Sequence, residues 1–361
     1  MDTPLLFSLG KMALSPYGLT MAVGAAFALL LTWKLKEPHA ITAALWSLPL
    51  AVLAGHLVWC LASLDTLGVN YASGYSLILK PWLGGYTLYG AVLGGIIGTF
   101  IAARQTRTSF FRLLDTLTPG ACVALIFGRL AEVFIGQGVG PQIEEGGPRF
   151  FPVAICTYAD EYWQDWQLCV FFWEALFALV MLLVMLRLRK SFHNEGFLAG
   201  TFLILLGTSQ IFFEQLRRDD KLLFGFVISF TQIAALVFIL CVLILRLSRH
   251  HSQRDLLRMS VFLFGLACVI LIEFAFDKPQ VYLALQLCLL AEAILSSILL
   301  LTPTRTFLRF LLSAGILTLS VTTGLQLGKD PASELILLFG MMALSLVPMT
   351  AVCLKAGSSP S

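Results

Sequence analysis

Eleven stretches of about twenty mostly apolar residues run through this chain, near 15–33, 41–63, 84–103, 114–137, 168–186, 197–215, 224–245, 259–276, 281–301, 307–326 and 334–353. A helix needs roughly 20 such residues to cross the hydrocarbon core of a bilayer. Inside that core every backbone polar group must be satisfied within the element, so only helices and closed barrels span it. A barrel would show alternating segments of about ten residues, and the chain has none. The fold class is therefore all-α, a polytopic membrane protein with about 11 transmembrane helices. Composition agrees: 58% of the 361 residues are hydrophobic and 12% are charged, with a mean hydropathy of +0.87. A soluble domain has about 45–50% apolar and about 25% charged residues. Disorder, a soluble enzyme and a nucleic-acid partner are excluded; the net charge of +3 is too small for a polyanion binder. The first stretch lacks a charged leader and a small-residue cleavage site, and Lys34 and Lys36 follow it. It reads as a retained helix rather than a signal peptide.

Cytoplasmic loops of membrane proteins carry an excess of Lys and Arg. With the N-terminus outside, the inside segments hold fifteen of the 24 basic residues and the outside segments eight, while Arg129 falls within a span. The chain is thus expected to be multi-pass, with an external N-terminus and a cytoplasmic C-terminus. The longest loop, near 138–167, then lies outside and carries Glu144, Glu145, Asp160, Glu161 and Asp165 against one Arg149. The eight cysteines fall mostly within spans and show no metal-ligand spacing. They read as small buried hydrophobes. Cys156 and Cys169 share the outer side, so their pairing is a matter of geometry.

A charge at mid-membrane costs at least about 2.5–3.5 kcal/mol, so each intramembrane ionisable group needs a partner or a task. The set comprises Arg129, Glu132, Glu174, Glu214, Glu273 and Glu292, with His56 as a weaker member. Arg129 and Glu132 lie at i,i+3 and share a helix face. Either they neutralise each other as an ion pair, or Arg129 presents its fork to an anion such as a phosphate. Gly136, Gly138 and Gly140 break the helix just beyond. Irregular backbone at that depth is tolerated where it lines a cavity. Glu214 precedes Arg217 and Arg218 at helical spacing, as in a helix-end ion cluster, and Gln210 lies one turn before it. Glu174 has no partner nameable from sequence.

Gly84, Gly85, Gly90, Gly94, Gly95 and Gly98 crowd WLGGYTLYGAVLGGIIG. Small residues at this spacing let helices approach closely in a membrane; a short re-entrant turn before the helix is the other reading. Tyr86, Tyr89 and Tyr17 serve either as an interfacial belt or as polar groups facing a site.

Taken in order, these segments resemble the prolipoprotein diacylglyceryl transferases of the bacterial plasma membrane. Tyr17-Gly18 is similar to the family's first-helix Tyr-Gly, and Trp82, Gly84 and Gly85 with YGAVLGGIIG to its glycine segment. LLDTLTPG, with Asp115 and Pro119, resembles the stretch before the signature, and GRLAEVFIGQGVG the signature itself. FFWEAL places Glu174; FFEQLRRDD places Glu214, Arg217 and Asp220; Gln232 matches a glutamine of the last matched helix. The resemblance covers about 13–245. It implies a seven-helix diacylglyceryl-transferase-like core over 1–254, with 255–361 as an added region of about four helices.

The resemblance further implies phosphatidylglycerol as lipid donor and the cysteine thiol of a secreted lipoprotein precursor as acceptor, with no cofactor and no metal. It implies catalytic roles for Tyr17, Tyr89, Glu132 and Glu214. It implies substrate-binding roles for Arg129, Gln137, Gly140, Gln210, Arg217, Gly84, Gly85 and Gly90. These residues are expected around one outward-opening cavity. Five positions depart from the family: Tyr89 stands at its histidine, Glu132 at its asparagine, Gln137 at its glutamate, Gln210 at an arginine and Leu206 at a tyrosine. A thiol needs a proton acceptor or nearby positive charge to attack, and a phenol with a pKa of about 10 accepts a proton only when strongly perturbed. The alternative function is therefore a non-catalytic or altered-specificity member that binds lipid or lipoprotein.

Overall fold

The computed structural model describes residues 7–9, 12–63, 78, 85–143, 147–159, 164–191, 194–218, 223–224, 228–249, 259–260, 263 and 267. Among the described residues there are seven long helices: α1 (Pro16–Lys34), α2 (Ala40–Ala62), α3 (Leu88–Thr106), α4 (Phe110–Ala131), α5 (Val170–Ser191), α6 (Phe197–Leu216) and α7 (Phe230–Arg249). Among the described residues six helices are long and apolar enough to cross a membrane, and the apolar run of α7, Phe230–Arg246, is shorter. The four expected spans from 259 onward lie outside the described residues but for a few positions. Gly84, Trp82 and Asp220 lie outside them too.

Short strands supplement the helices, which the all-α expectation did not include. β1 (Phe7–Leu9) pairs with β2 (Met12–Leu14), β3 (Ala154–Ala159) with β4 (Gln164–Leu168), and β5 (Leu223–Phe224) with β6 (Ile228–Ser229), each antiparallel. The long loop expected at 138–167 thus carries a hairpin with a register irregularity at Cys156/Tyr158. Cys156 and Cys169 are both free thiols. In this register Cys156 faces Trp166 across the ladder, while Cys169 lies just ahead of α5.

The chain divides into two compact units. One holds Met1–Ile135, Ala175–Phe202 and Asp220–Ala234; the other holds Gly136–Glu174, Leu203–Asp219 and Ala235–Ser361. In the first unit, α1 packs on α4 and α2 on α3. Ser15 caps α1, its hydroxyl accepting from Gly18 N at 3.1 Å, with Pro16 in the first turn. The glycine ladder of α3 is the seam against α2. A methyl added at Gly90 would sit 2.7 Å from Ala54 O, and one at Gly98 would sit 2.7 Å from Ser47 N. Polar contacts lock this seam: Ser47 Oγ donates to Gly95 O at 3.0 Å, and Thr99 Oγ1 lies 3.1 Å from Ser47 Oγ. At the far end of the same unit, Glu37 receives Arg189 at 2.8 Å and Arg112 at 3.3 Å. Asp115 of α4 accepts from Gly196 N and Ala199 N, both at 2.7 Å. A carboxylate there satisfies donors that a helix start leaves open.

Candidate active site

The site residues of the first unit gather where α1 begins and α4 ends. Tyr17 is the second residue of α1. Arg129 stands in the last turn of α4, where the helix dipole favours a cation. The helix stops at Ala131 and Glu132 opens a single 3-10 turn, Glu132–Ile135, which changes the geometry expected of an unbroken helix. Arg129 and Glu132 still form the expected ion pair, with side chains only 10% and 13% exposed. Tyr17 lies within electrostatic range of Glu132, Tyr86 and Arg129. Four polar groups from three segments therefore converge: Tyr17, Tyr86, Arg129 and Glu132.

Tyr86 sits on the approach to α3 and is 41% exposed, so it marks the open side of the cluster. Desolvation holds its phenol above the ordinary range, so near neutral pH it donates a proton in hydrogen bonds and does not act as a base. The approach is held from α2. His56 is buried, with Nδ1 3.0 Å from Gly85 O. A carbonyl only accepts, so Nδ1 carries the proton and Nε2 is the acceptor. Nε2 lies 3.5 Å from Cys60 Sγ. The His56 ring lies 5.7 Å from that of Tyr86 and stacks on Trp59. Gly85 has φ +80, and a Cβ there would meet the Trp59 indole at 2.7 Å, so only glycine fits this turn. Thr87 N donates to Gly55 O at 3.0 Å, and Thr87 Oγ1 caps α3 at Gly90 N, 3.2 Å away. Tyr89, at the position of the family histidine, is buried in the second residue of α3. Sequence reasoning gave Tyr89 a catalytic role and named Tyr86 only as one of three tyrosines of an interfacial belt or a site. The signal that favours Tyr86 is its place ahead of the helix, where a side chain points to solvent or a site.

The second unit gathers a different set. Glu174 of α5 is buried and has a partner after all: it accepts from Arg217 Nη1 at 2.9 Å. Gln210 Nε2 donates to its other oxygen at 3.3 Å. Sequence spacing offered Glu214 as a partner of Arg217; the structure places Glu174, 43 positions away, against its Nη1. Glu214 is buried on α6, one turn beyond Gln210. Gln137 is exposed. The glycine loop is stapled by its backbone. Phe171 N donates to Gly138 O at 2.7 Å, Arg218 N to Val139 O at 2.9 Å, and Gly140 N to Leu168 O at 2.8 Å. A Cβ at Gly140 would stand 3.0 Å from Leu216 O, so glycine allows the loop to lie against the end of α6. Among the described residues no group of three or more His, Cys, Asp or Glu is placed to hold a metal ion.

The model of the family described as prolipoprotein diacylglyceryl transferase matches residues 4–248. A phosphatidylglycerol–prolipoprotein diacylglyceryl transferase of Lactobacillus acidophilus is 25% identical over 268 residues, covering 68% of this chain and 89% of the relative. One of Listeria innocua is 23% identical over 249 residues, 65% of this chain and 86% of the relative. One of Limosilactobacillus reuteri is 25% identical over 259 residues, 69% of this chain and 92% of the relative.

Proposed function

The chain belongs to the prolipoprotein diacylglyceryl transferase family, and from that premise we propose that it transfers diacylglyceryl from phosphatidylglycerol to a lipobox cysteine of a secreted precursor. Sulfur attacks the glyceryl carbon that bears the phosphate ester. The C–S bond forms, the C–O bond breaks, and glycerol phosphate leaves with the electron pair; the thiol proton passes to a base. Arg129 receives the phosphate, since a guanidinium fork matches its oxygens. Tyr17 and Tyr86 line the reacting centre, and Tyr89 supports the helix start behind them. Glu132 is the base available in the first unit. It is paired with Arg129, so an anionic headgroup that takes the fork also releases the carboxylate to accept a proton. In the second unit, Glu174 holds Arg217 and Gln210 in place, and Glu214 orients polar groups. In the first unit Gly85 and Gly90 shape the substrate path by fixing the turn and helix start beside Tyr86, and in the second unit Gln137 and Gly140 belong to the glycine loop. The N-terminus lies outside and the C-terminus in the cytoplasm, as the distribution of basic residues favours. The segment 255–361 is an added four-helix membrane region.

The observation that carries this proposal is the largely buried Arg129–Glu132 pair in range of Tyr17, which is itself in range of Tyr86. The test is complementation of cells depleted of their own diacylglyceryl transferase, with Arg129→Ala beside the wild type. Rescue by the wild type alone supports the proposal. Failure of confirmed membrane-expressed wild type to rescue, and failure to modify a lipobox peptide in nanodiscs, refutes it. The same pair also favours a second reading. Arg129 is already neutralised by Glu132, which disfavours an anionic lipid, so a member that binds a different lipid without turnover is the alternative. Mass spectrometry of lipid that co-purifies with the chain separates the two.

A further inference from the structure

We infer that the Phe150–Phe151 turn is a lipid-surface anchor, seating the β3–β4 hairpin in the interfacial zone of the bilayer. Both phenyl rings are largely exposed, Phe150 at 58% and Phe151 at 60%. Large apolar side chains side by side at such exposure mark a contact surface. The depth of the turn is fixed by its neighbours within the same unit. The Phe151 ring packs edge-on against Phe172, 4.9 Å between centroids. Phe172 is the third residue of α5, whose apolar span Val170–Lys190 has 21 residues. At 1.5 Å per residue this span is about 31 Å long, which matches a hydrocarbon core of about 30 Å. Its first turn therefore lies at the edge of the core, and so does the ring stacked on it. Trp173 lies beside Phe172 at 5.9 Å, and tryptophan favours this same headgroup level. At that depth the open faces of Phe150 and Phe151 meet lipid.

The turn is built to hold this position. Phe150 O accepts from Val153 N at 3.0 Å and from Ala154 N at 2.9 Å, while Cys169 N donates to Val153 O at 2.9 Å. The aromatic tip is thus tied to the start of β3 and to the residue just ahead of α5. Ahead of the two rings, Arg149 Nη2 donates to Ile143 O at 3.4 Å, which ties the approach to the turn as well. A polypeptide partner would require the rings to stand clear of the bilayer edge, and the Phe172 contact holds them at it.

The test uses the full chain in nanodiscs of phosphatidylethanolamine and phosphatidylglycerol. Phe150→p-benzoylphenylalanine and Phe151→p-benzoylphenylalanine keep an aromatic ring and so preserve the fold. Gln164→p-benzoylphenylalanine, at the exposed first residue of β4, is the control. On irradiation, intact-mass spectrometry is expected to show phospholipid adducts at 150 and 151 several-fold above those at 164. Equal adducts at all three positions, adducts to the chain itself, or none at 150 and 151 would overturn the inference. The same labelling in native membranes that yields a protein adduct in place of lipid would overturn it too. None of these readouts depends on transferase activity.

Discussion

Gly94 and Gly95 are neighbours on α3, yet alanine at the two positions should act in opposite directions. A methyl at Gly94 would lie 2.6 Å from the carbonyl carbon of Leu50 and 2.8 Å from Ala51 Cα, and nearer still to the Leu50 oxygen. Ordinary carbon contacts run at about 3.5–4.0 Å. The obstacle is the α2 backbone, which cannot rotate aside as a side chain would, so the two helices must separate by roughly 1 Å. That opens the whole seam from Gly90 to Gly98 and stretches the Ser47–Gly95 and Ser47–Thr99 contacts. Overpacking of this kind costs about 1–3 kcal/mol. Gly95 has nothing within 4 Å of its missing Cβ, and alanine gains up to about 1 kcal/mol over glycine in a helix. Thermal unfolding of Gly94→Ala and Gly95→Ala in nanodiscs should therefore show midpoints below and at or above the wild type, respectively. Shifts of the same sign, or an unshifted Gly94→Ala, would refute the account of α3 as a seam of backbone contacts.

Asp115→Ala should destabilise the protein by about 2–4 kcal/mol, because two backbone donors at the start of α6 lose a charged acceptor; Asp115→Asn should recover part of that in the same unfolding assay. His56→Leu should lower the midpoint by an amount equivalent to about 1–3 kcal/mol, the cost of leaving Gly85 O unpaired, and His56→Asn, which keeps a donor, should lower it less. Burial pushes the Cys169 thiol up to about 11 from an ordinary 9.0. The folded state then favours the protonated thiol, so its contribution to stability is intact below about pH 9 and falls as pH rises through about 11. Alkylation at pH 8 read by peptide mass spectrometry should accordingly mark half-buried Cys156 and spare Cys169.

The helices among the described residues were legible because each needs only a continuous run of apolar residues. The run at 15–33 became Pro16–Lys34, and the glycine spacing in 84–98 showed its packing role without coordinates. The Arg129–Glu132 pair was legible because it obeys helix spacing. What escaped was whatever joins distant segments. Glu174 meets Arg217 across 43 positions, and i,i+4 arithmetic stops at one turn. The β3–β4 hairpin hid in a polar loop whose strands lack a buried face to impose alternation. Asp115 appeared only as part of a motif, since nothing in LLDTLTPG says that its carboxylate will cap a helix 80 residues later.

The same limit bears on the proton chemistry. Motif comparison puts a phenol, Tyr89, where relatives carry an imidazole, which counts against activity if that position alone supplies the group. In the folded chain an imidazole does stand at this end of α3, but it comes from α2: His56 holds Gly85 O and faces Tyr86. Its protonated nitrogen is engaged with the carbonyl and its acceptor nitrogen meets Cys60, so it fixes the turn that presents Tyr86 and is not itself placed to take a substrate proton. In the proposed transfer the burden of proton transfer therefore falls on Glu132. If transfer runs as proposed, the Arg129–Glu132 pair couples lipid binding to base activation, because an anion that displaces the carboxylate from the guanidinium also frees the base. On that reading a headgroup with no negative charge leaves the pair closed, and no transfer follows.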